Sequence, residues 1–328
     1  MKYNAFGKLG TTVSRLGFGA MGLGGSFGDY DEQELIRSVL HSLEQGVNFI
    51  DTARNYGDSE RILGLALREW KGERPFIASK IQSKGPGNLG WGKPIPVETA
   101  FPKGWLREST EISLRLLGVE TIDLMQLHQY WPQWDRVDYW MDELLQLKQE
   151  GKIRGIGVSL PDQRHDIVLS LVQSGKIDSV QTVFHIFDPL PLDCLIPICR
   201  ENDVAVIARC ILDEGGLTGF LREDTEFGEG DFRKSYFEYL PRRLYIERVN
   251  RLKEAYVPKY ANSLAELAIK FVLHHPGVTA AISSMHVPQY ADENIAAVDR
   301  EPLPDDVFEE IRQHHRWVRN FYETKYWQ

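Results

Sequence analysis

Along most of the chain, short apolar runs alternate with longer stretches whose apolar residues recur every three or four positions. The runs at 17–19, 47–50, 76–79, 122–127, 153–158, 179–181, 204–208 and 279–282 have the length and composition of buried strands. The stretches at 32–45, 59–70, 105–117, 137–149, 164–173, 193–201 and 263–274 predict helices, and a last one falls at 305–316. In 105–117, for example, Leu106, Ile112, Leu116 and Leu117 make the apolar stripe, with Glu111 and Arg115 paired four residues apart. Ahead of this rhythm, residues 3–6 and 13–16 predict a small hairpin around Gly10-Thr11-Thr12.

Eight successive strand–helix units predict an α/β fold. It is a (β/α)8 TIM barrel with an N-terminal β-hairpin and long βα loops, read as one domain over 1–328. A doubly wound sheet is the alternative, because Gly17-x-Gly19-x-x-Gly22 follows the first strand. The residues after it open no helix, and no acidic strand end follows at the spacing a dinucleotide fold uses, so these glycines read as a loop. Three connections, 84–103, 129–135 and 209–243, are longer than linking requires. The last includes an acidic piece, 222–234, expected to be mobile.

At 42% apolar and 26% charged residues, the chain has the balance of a globular protein with a sizeable core. A net charge of −9 argues against general binding to nucleic acid or an anionic membrane. There is no leader-type apolar segment and no run of about 18 apolar residues, so a cytoplasmic location without membrane contact is expected. Cys194, Cys199 and Cys210 lack metal-ligand spacing and read as free thiols; no metal site is expected. Nothing in the sequence signals an oligomeric state.

The stretch 48–67 concentrates the polar chemistry. Asp51 closes an apolar strand and Tyr56 follows in a Gly-containing turn. Asp58 or Ser59 can then cap a helix with Ile62, Leu63, Ala66 and Leu67 on its apolar face. Lys80 ends the next strand and His128 the one after. In a barrel, all four point into one mouth at the C-terminal ends of the strands. Each alone has a plain reading as a solvated charge or a satisfied polar group; four at three successive strand ends make a set. An unperturbed phenol titrates near about pH 10. A nearby ammonium lowers that pKa, a carboxylate holds the ammonium in place, and an imidazole orients a carbonyl oxygen or shuttles its proton. Such a set donates a proton to C=O without a nucleophile or a metal, and needs a separate hydride source. Phe27, Tyr30, Trp91, Trp131, Trp134, Trp317, Phe321 and Tyr322 either pack the loops or line an apolar pocket for an aryl or alkyl aldehyde or ketone.

With these residues placed, the chain resembles the aldo-keto reductases over nearly its whole length. The most specific segments are FIDTARNYGDSERILGLAL, FIASK, SLRLLGVETIDLMQLH, LKQEGKIRGIGVS and DENIAA. The resemblance implies that Asp51, Tyr56, Lys80 and His128 form the family's catalytic tetrad, with Tyr56 as proton donor. It implies NADPH (NADH possible), bound extended on the barrel, and a small-molecule carbonyl substrate. It places Gly19, Ala20 and Met21 beside the nicotinamide, and Ser159 and Gln181 on its carboxamide, although Leu160 stands where an Asn usually follows. Phe184 falls where a Tyr commonly stacks on the ring.

After the seventh strand the family's aromatic-Ser-Pro-Leu is replaced, but the backbone around Cys210, Leu212 and Gly215 can still cradle a pyrophosphate. Arg209 either adds charge there or pairs with a carboxylate. At the adenosine end, Glu293 and Asn294 match adenine contacts. Members that prefer NADPH usually carry Arg or Lys in the preceding loop, where this chain has Ser284, His286 and Tyr290. His286 carries a full charge only below about pH 6.5 if unperturbed.

Two other functions use the same residues. Lys80 could be the nucleophile of a Schiff-base lyase, against which Asp51 argues, since a paired lysine stays protonated. A non-catalytic, cofactor-sensing subunit, like the reductase-like β subunits of potassium channels, is the other; the complete tetrad gives no reason to prefer it.

Overall fold

The computed structural model describes residues 1–28, 30–85 and 93–317; Trp91, Phe321 and Tyr322 lie outside them. Strands β1 (Tyr3–Ala5) and β2 (Thr12–Ser14) form the antiparallel hairpin. Eight parallel strands then close a barrel: β3 (Leu16–Gly19), β4 (Phe49–Asp51), β5 (Phe76–Ile81), β6 (Ile122–Leu127), β7 (Ile153–Ser159), β8 (Ser179–Val183), β9 (Ala205–Arg209) and β10 (Ala280–Ser284). β10 pairs back onto β3, so the sheet has no free edge.

Strand alternation divides the buried residues between two cores. On β5, Ile77 and Ile81 face outward into the layer shared with the helices, while Phe76 and Ala78 face the barrel interior. The interior core also takes Phe49, Leu124, Ala205 and Ile207, and the hairpin plugs its base: the Phe6 ring lies 4.7 Å from Phe76 and 6.0 Å from Phe49. Continuing the alternation toward the C-terminal ends brings polar side chains inward. Asp51, Lys80, Gln126 and Gln181 stand above that apolar floor, each almost fully buried. Fold and site thus come from one period-two pattern.

The helices largely follow the predicted spacing, and helices beyond those predicted include Pro288–Asp299, which follows β10. Residues 164–173 split into a 3-10 turn, His165–Val168, and a short helix, Leu169–Gln173. A further helix, Arg242–Tyr256, buries Tyr245, Val249, Leu252 and Tyr256. Among the described residues no helix is long and apolar enough to cross a membrane, and no group of His, Cys, Asp or Glu could hold a metal ion.

Candidate active site

The β4 loop is built by close backbone approach. A Cβ on Gly24 would lie 1.8 Å from the Tyr56 carbonyl oxygen, so only glycine lets the β3 loop press against the turn carrying the phenol. Ser59 completes the join, donating to the Ala20 carbonyl (2.7 Å) and meeting Thr52 Oγ1 (2.8 Å). Neither Asp58 nor Ser59 caps the following helix with its side chain: Asp58 occupies the N-cap position but pairs with Arg61 (2.9 Å).

Lys80 is fully buried with its three N–H donors directed at Asp51 Oδ1 (2.5 Å), the Thr52 carbonyl (2.8 Å) and the Tyr56 hydroxyl (3.3 Å). Burial works against the ammonium, but Asp51 and Tyr56 outweigh it and hold its pKa above the ordinary lysine value. A Lys80 that stays charged has no lone pair for a carbonyl carbon, which argues against the Schiff-base alternative. The other Asp51 oxygen accepts from Gln181 Nε2 (2.8 Å) and Gln126 Nε2 (3.3 Å).

The Tyr56 phenol is pulled both ways. Burial raises its pKa most, Lys80 lowers it, Asp51 raises it again and Arg209 lowers it, and the net direction is upward. The expected lowering by Lys80 is therefore present but smaller than the cost of charging a phenol away from water. His128 packs edge-on to Tyr56, with ring centroids 5.6 Å apart. Burial, then the charges of Lys80 and Arg209, push its pKa well below the usual imidazole value, so it is neutral near pH 7.

Asp51, Tyr56 and His128 open into a cleft of about 1150 Å³ that runs over β9 and β10 to Glu293 and Asn294. Every residue proposed from sequence to hold a dinucleotide lines this cleft except Ser159 and Phe184. Ser159 is paired in register with Gln181, and both carry a buried polar atom without a protein hydrogen bond, Ser159 Oγ and Gln181 Oε1. A hydroxyl and an amide oxygen left open side by side suit the two halves of a carboxamide. Phe184 does not face the cleft: it is fully buried, its ring 5.8 Å from Phe271 on the outer helix Leu264–His274.

Beyond β9 the chain turns sharply, with Cys210, Asp213 and Glu214 all at positive φ (53°, 49° and 52°). The amides of Asp213, Gly215 and Gly216 close the turn internally. Those of Ile211, Leu212 and Glu214 donate to no protein acceptor among the described residues, which leaves backbone donors suited to a pyrophosphate. Arg209 binds Asp162 Oδ1 (2.6 Å) and the Leu160 carbonyl (2.9 Å), so its charge is answered by a carboxylate. Asn294 donates to Ser283 Oγ (3.1 Å), and Gln289 to Glu293 Oε1 (3.0 Å).

His286 stacks on Phe27 (5.5 Å, 14° between planes), meets Tyr30 edge-on (4.7 Å) and bonds Ser284 Oγ through Nδ1 (2.7 Å). Burial and Arg233 lower its pKa to about 4, well below the 6.5 of the free side chain. Its charge is thus absent through the neutral range.

Of the described aromatic residues expected at the pocket, three tryptophans pack away from the cleft. Phe27 lines the cleft, but Trp134 is fully buried with its Nε1 on the Ile95 carbonyl (2.8 Å), Trp131 is buried, and Trp317 packs on Phe187 (5.8 Å) and Tyr245 (6.0 Å). Polar residues stand at the mouth at the ends of β4, β5, β7 and β9: Arg54, Asn55, Gln82, Asp162 and Arg209. Sequence reasoning missed Arg54, Gln82, Asp162 and Arg233; the first three were discoverable as polar residues one to three positions beyond a strand end.

The profile of the aldo/keto reductase family matches residues 15–316. An Escherichia coli protein named NADH-specific methylglyoxal reductase is 30% identical over 315 residues, covering 91% of this chain and 94% of its own length. The solved holo form of an aldo-keto reductase from Bacillus halodurans superposes with a TM-score of 0.77 at 26% identity, over 98% of this chain and 99% of that one. A glycerol dehydrogenase from Gluconobacter oxydans follows at a TM-score of 0.73 and 26% identity, over 94% of each chain. The chain therefore belongs to the aldo/keto reductase family and is an NAD(P)H-dependent oxidoreductase on an eight-stranded parallel barrel.

Proposed function

We propose that this protein reduces small, hydrophilic aldehydes or ketones to alcohols, with Tyr56 giving the proton and His128 orienting the carbonyl oxygen. The observation that carries the reading is the Lys80 ammonium, saturated by Asp51, Thr52 and the Tyr56 hydroxyl beneath an open cleft. A dinucleotide held in this cleft would supply the hydride. Ser159 and Gln181 would hold its carboxamide, and the free amides of Ile211, Leu212 and Glu214 its pyrophosphate. Burial keeps the Tyr56 hydroxyl protonated at neutral pH, ready to donate. Once its proton passes to the carbonyl oxygen, Lys80 stabilises the phenolate left behind, a charge otherwise costly away from water. Neutral His128 offers an N–H to the same oxygen without competing as an acid.

The polar ring at the mouth supports a substrate rich in oxygen rather than an aryl or long alkyl aldehyde, because its donors and acceptors would lose water to an apolar guest. The relatives named for methylglyoxal and glycerol act on compounds of that kind. The test is a panel of methylglyoxal, glyceraldehyde, benzaldehyde and hexanal, with NADPH and NADH each as reductant. Higher kcat/KM for the first pair is expected; a preference for the second pair refutes the substrate class. No oxidation of either nucleotide with any carbonyl refutes the reductase reading.

A further inference from the structure

The acidic segment after β9, expected to be mobile, is tied down across the cleft. The Phe232 amide donates to the Ser26 carbonyl (2.9 Å), joining this strap to the loop after β3. Further along, Tyr236 donates to Asp213 Oδ1 (2.6 Å), and Tyr245 to Oδ2 of the same buried carboxylate (2.8 Å). Between these anchors Arg233 is carried to the cleft wall, its guanidinium 5.4 Å from the Phe27 ring and 5.5 Å from Phe220. Asp231 engages Nε and Nη2 (closest contact 2.6 Å), and Nη1 has no protein partner among the described residues.

Its surroundings belong to the adenosine end. The charge of Arg233 bears on Tyr30, on Tyr290 and on His286, whose Nε2 is buried without a partner. His286 is neutral near pH 7, as shown above. The other arginines of the cleft sit at the barrel mouth, Arg54 held by Glu60 (2.8 Å) and Arg209 by Asp162 (2.6 Å). An anion at the His286 end therefore meets one guanidinium with an open N–H face, supplied by the strap rather than by the loop after β10.

Resting on the reading that this cleft binds NAD(P)H, we propose that Arg233 is the residue that discriminates the adenosine 2′-phosphate, with Asp231 fixing its guanidinium and limiting the preference. A phosphate accepts well from a guanidinium N–H. Asp231 places a negative charge beside the same group, so the pair favours NADPH less than a lone arginine would.

The experiment measures dissociation constants of NADP⁺ and NAD⁺ by calorimetry, since the two differ only in the 2′-phosphate. Arg233→Gln is expected to weaken NADP⁺ by roughly 10- to 100-fold while NAD⁺ stays within about twofold. Asp231→Asn is expected to move the NADP⁺/NAD⁺ ratio the other way. If Arg233 only staples Phe27 to the aromatic cluster of the strap, Arg233→Gln weakens both nucleotides alike, and the proposal fails. It fails equally if NADP⁺ binding is unchanged, or if Asp231→Asn leaves the ratio where it was, a result readable even where Arg233→Gln does not fold. Wild-type protein that binds neither nucleotide would instead overturn the reductase reading itself.

Discussion

Lys80→Met tests the pair at the centre of the site through stability, without reference to any substrate. Lys80 is 0% and Asp51 1% exposed, so neither charge recovers solvation when its partner is removed. The substitution keeps most of the side-chain volume but strips the donors from Asp51 Oδ1 and the Thr52 carbonyl, leaving the carboxylate with Gln126 and Gln181 alone. Breaking one side of such a pair costs about 3–5 kcal/mol. Asp51→Asn strands the ammonium and should cost a similar amount. The double variant strands no charge, so its loss should fall short of the sum by roughly 2–3 kcal/mol. Urea unfolding of the four proteins measures this coupling. Additivity within about 0.5 kcal/mol would show that the two charges do not depend on each other, and would refute the reasoning. The pH dependence has a fixed sign. Because the folded-state pKa of Lys80 is raised, its stabilisation is complete below the unfolded value of about 10.4 and is lost only as pH climbs through the folded value. The contribution of the Lys80 charge itself should therefore be flat through neutrality and fall away in strong alkali.

Tyr56→Phe should lower kcat for carbonyl reduction by roughly 10²- to 10⁴-fold while NADPH affinity, read by fluorescence titration, stays near wild type; undiminished turnover would remove the phenol from its role. Ser159→Ala should weaken nucleotide binding by roughly two- to tenfold, the loss of one neutral hydrogen bond, with no change in urea midpoint, because its hydroxyl has no protein partner. The pH dependence of the NADP⁺ to NAD⁺ affinity ratio between about pH 6 and pH 8 should be the same in wild type and His286→Ala, since His286 titrates near 4 and a step at about pH 6 belongs to the 2′-phosphate itself; a step lost in His286→Ala would show that the imidazole charges in that range.

The barrel could be read from sequence because closure forces one alternation on every strand. FIASK is apolar outward at Ile77 and inward at Phe76 and Ala78, so the next inward position, Lys80, had to lie at the mouth whatever the loops did. Asp51 and Gln181 follow by the same count. Phe184 shows where counting stops. It lies one residue past the end of β8, where strand geometry no longer dictates direction, and it turns outward to Phe271. The helix Arg242–Tyr256 did leave a signal, Tyr245, Val249, Leu252 and Tyr256 at helical spacing, within a stretch that is otherwise highly charged. Arg233 left none, because only the Phe232–Ser26 and Tyr236–Asp213 bonds bring it to the cleft.

The direction of the Tyr56 pKa is the part of the chemistry that no residue pattern could supply. The sequence shows that a lysine and a carboxylate accompany the phenol, and from partners alone the pKa should fall. Burial is set by the whole enclosure, including the backbone contact that Gly24 permits, and here it outweighs the ammonium. The sign matters for function. A phenol with a lowered pKa would serve as readily as a base toward an alcohol as an acid toward a carbonyl. One whose pKa is raised holds its proton at neutral pH, so the site stands ready to donate, and oxidation in the reverse direction should require alkaline conditions. Lys80 then acts less by ionising the resting phenol than by limiting the cost of the phenolate formed when the proton leaves. That role needs a lysine permanently charged, which its bonds to Asp51 and Thr52 secure.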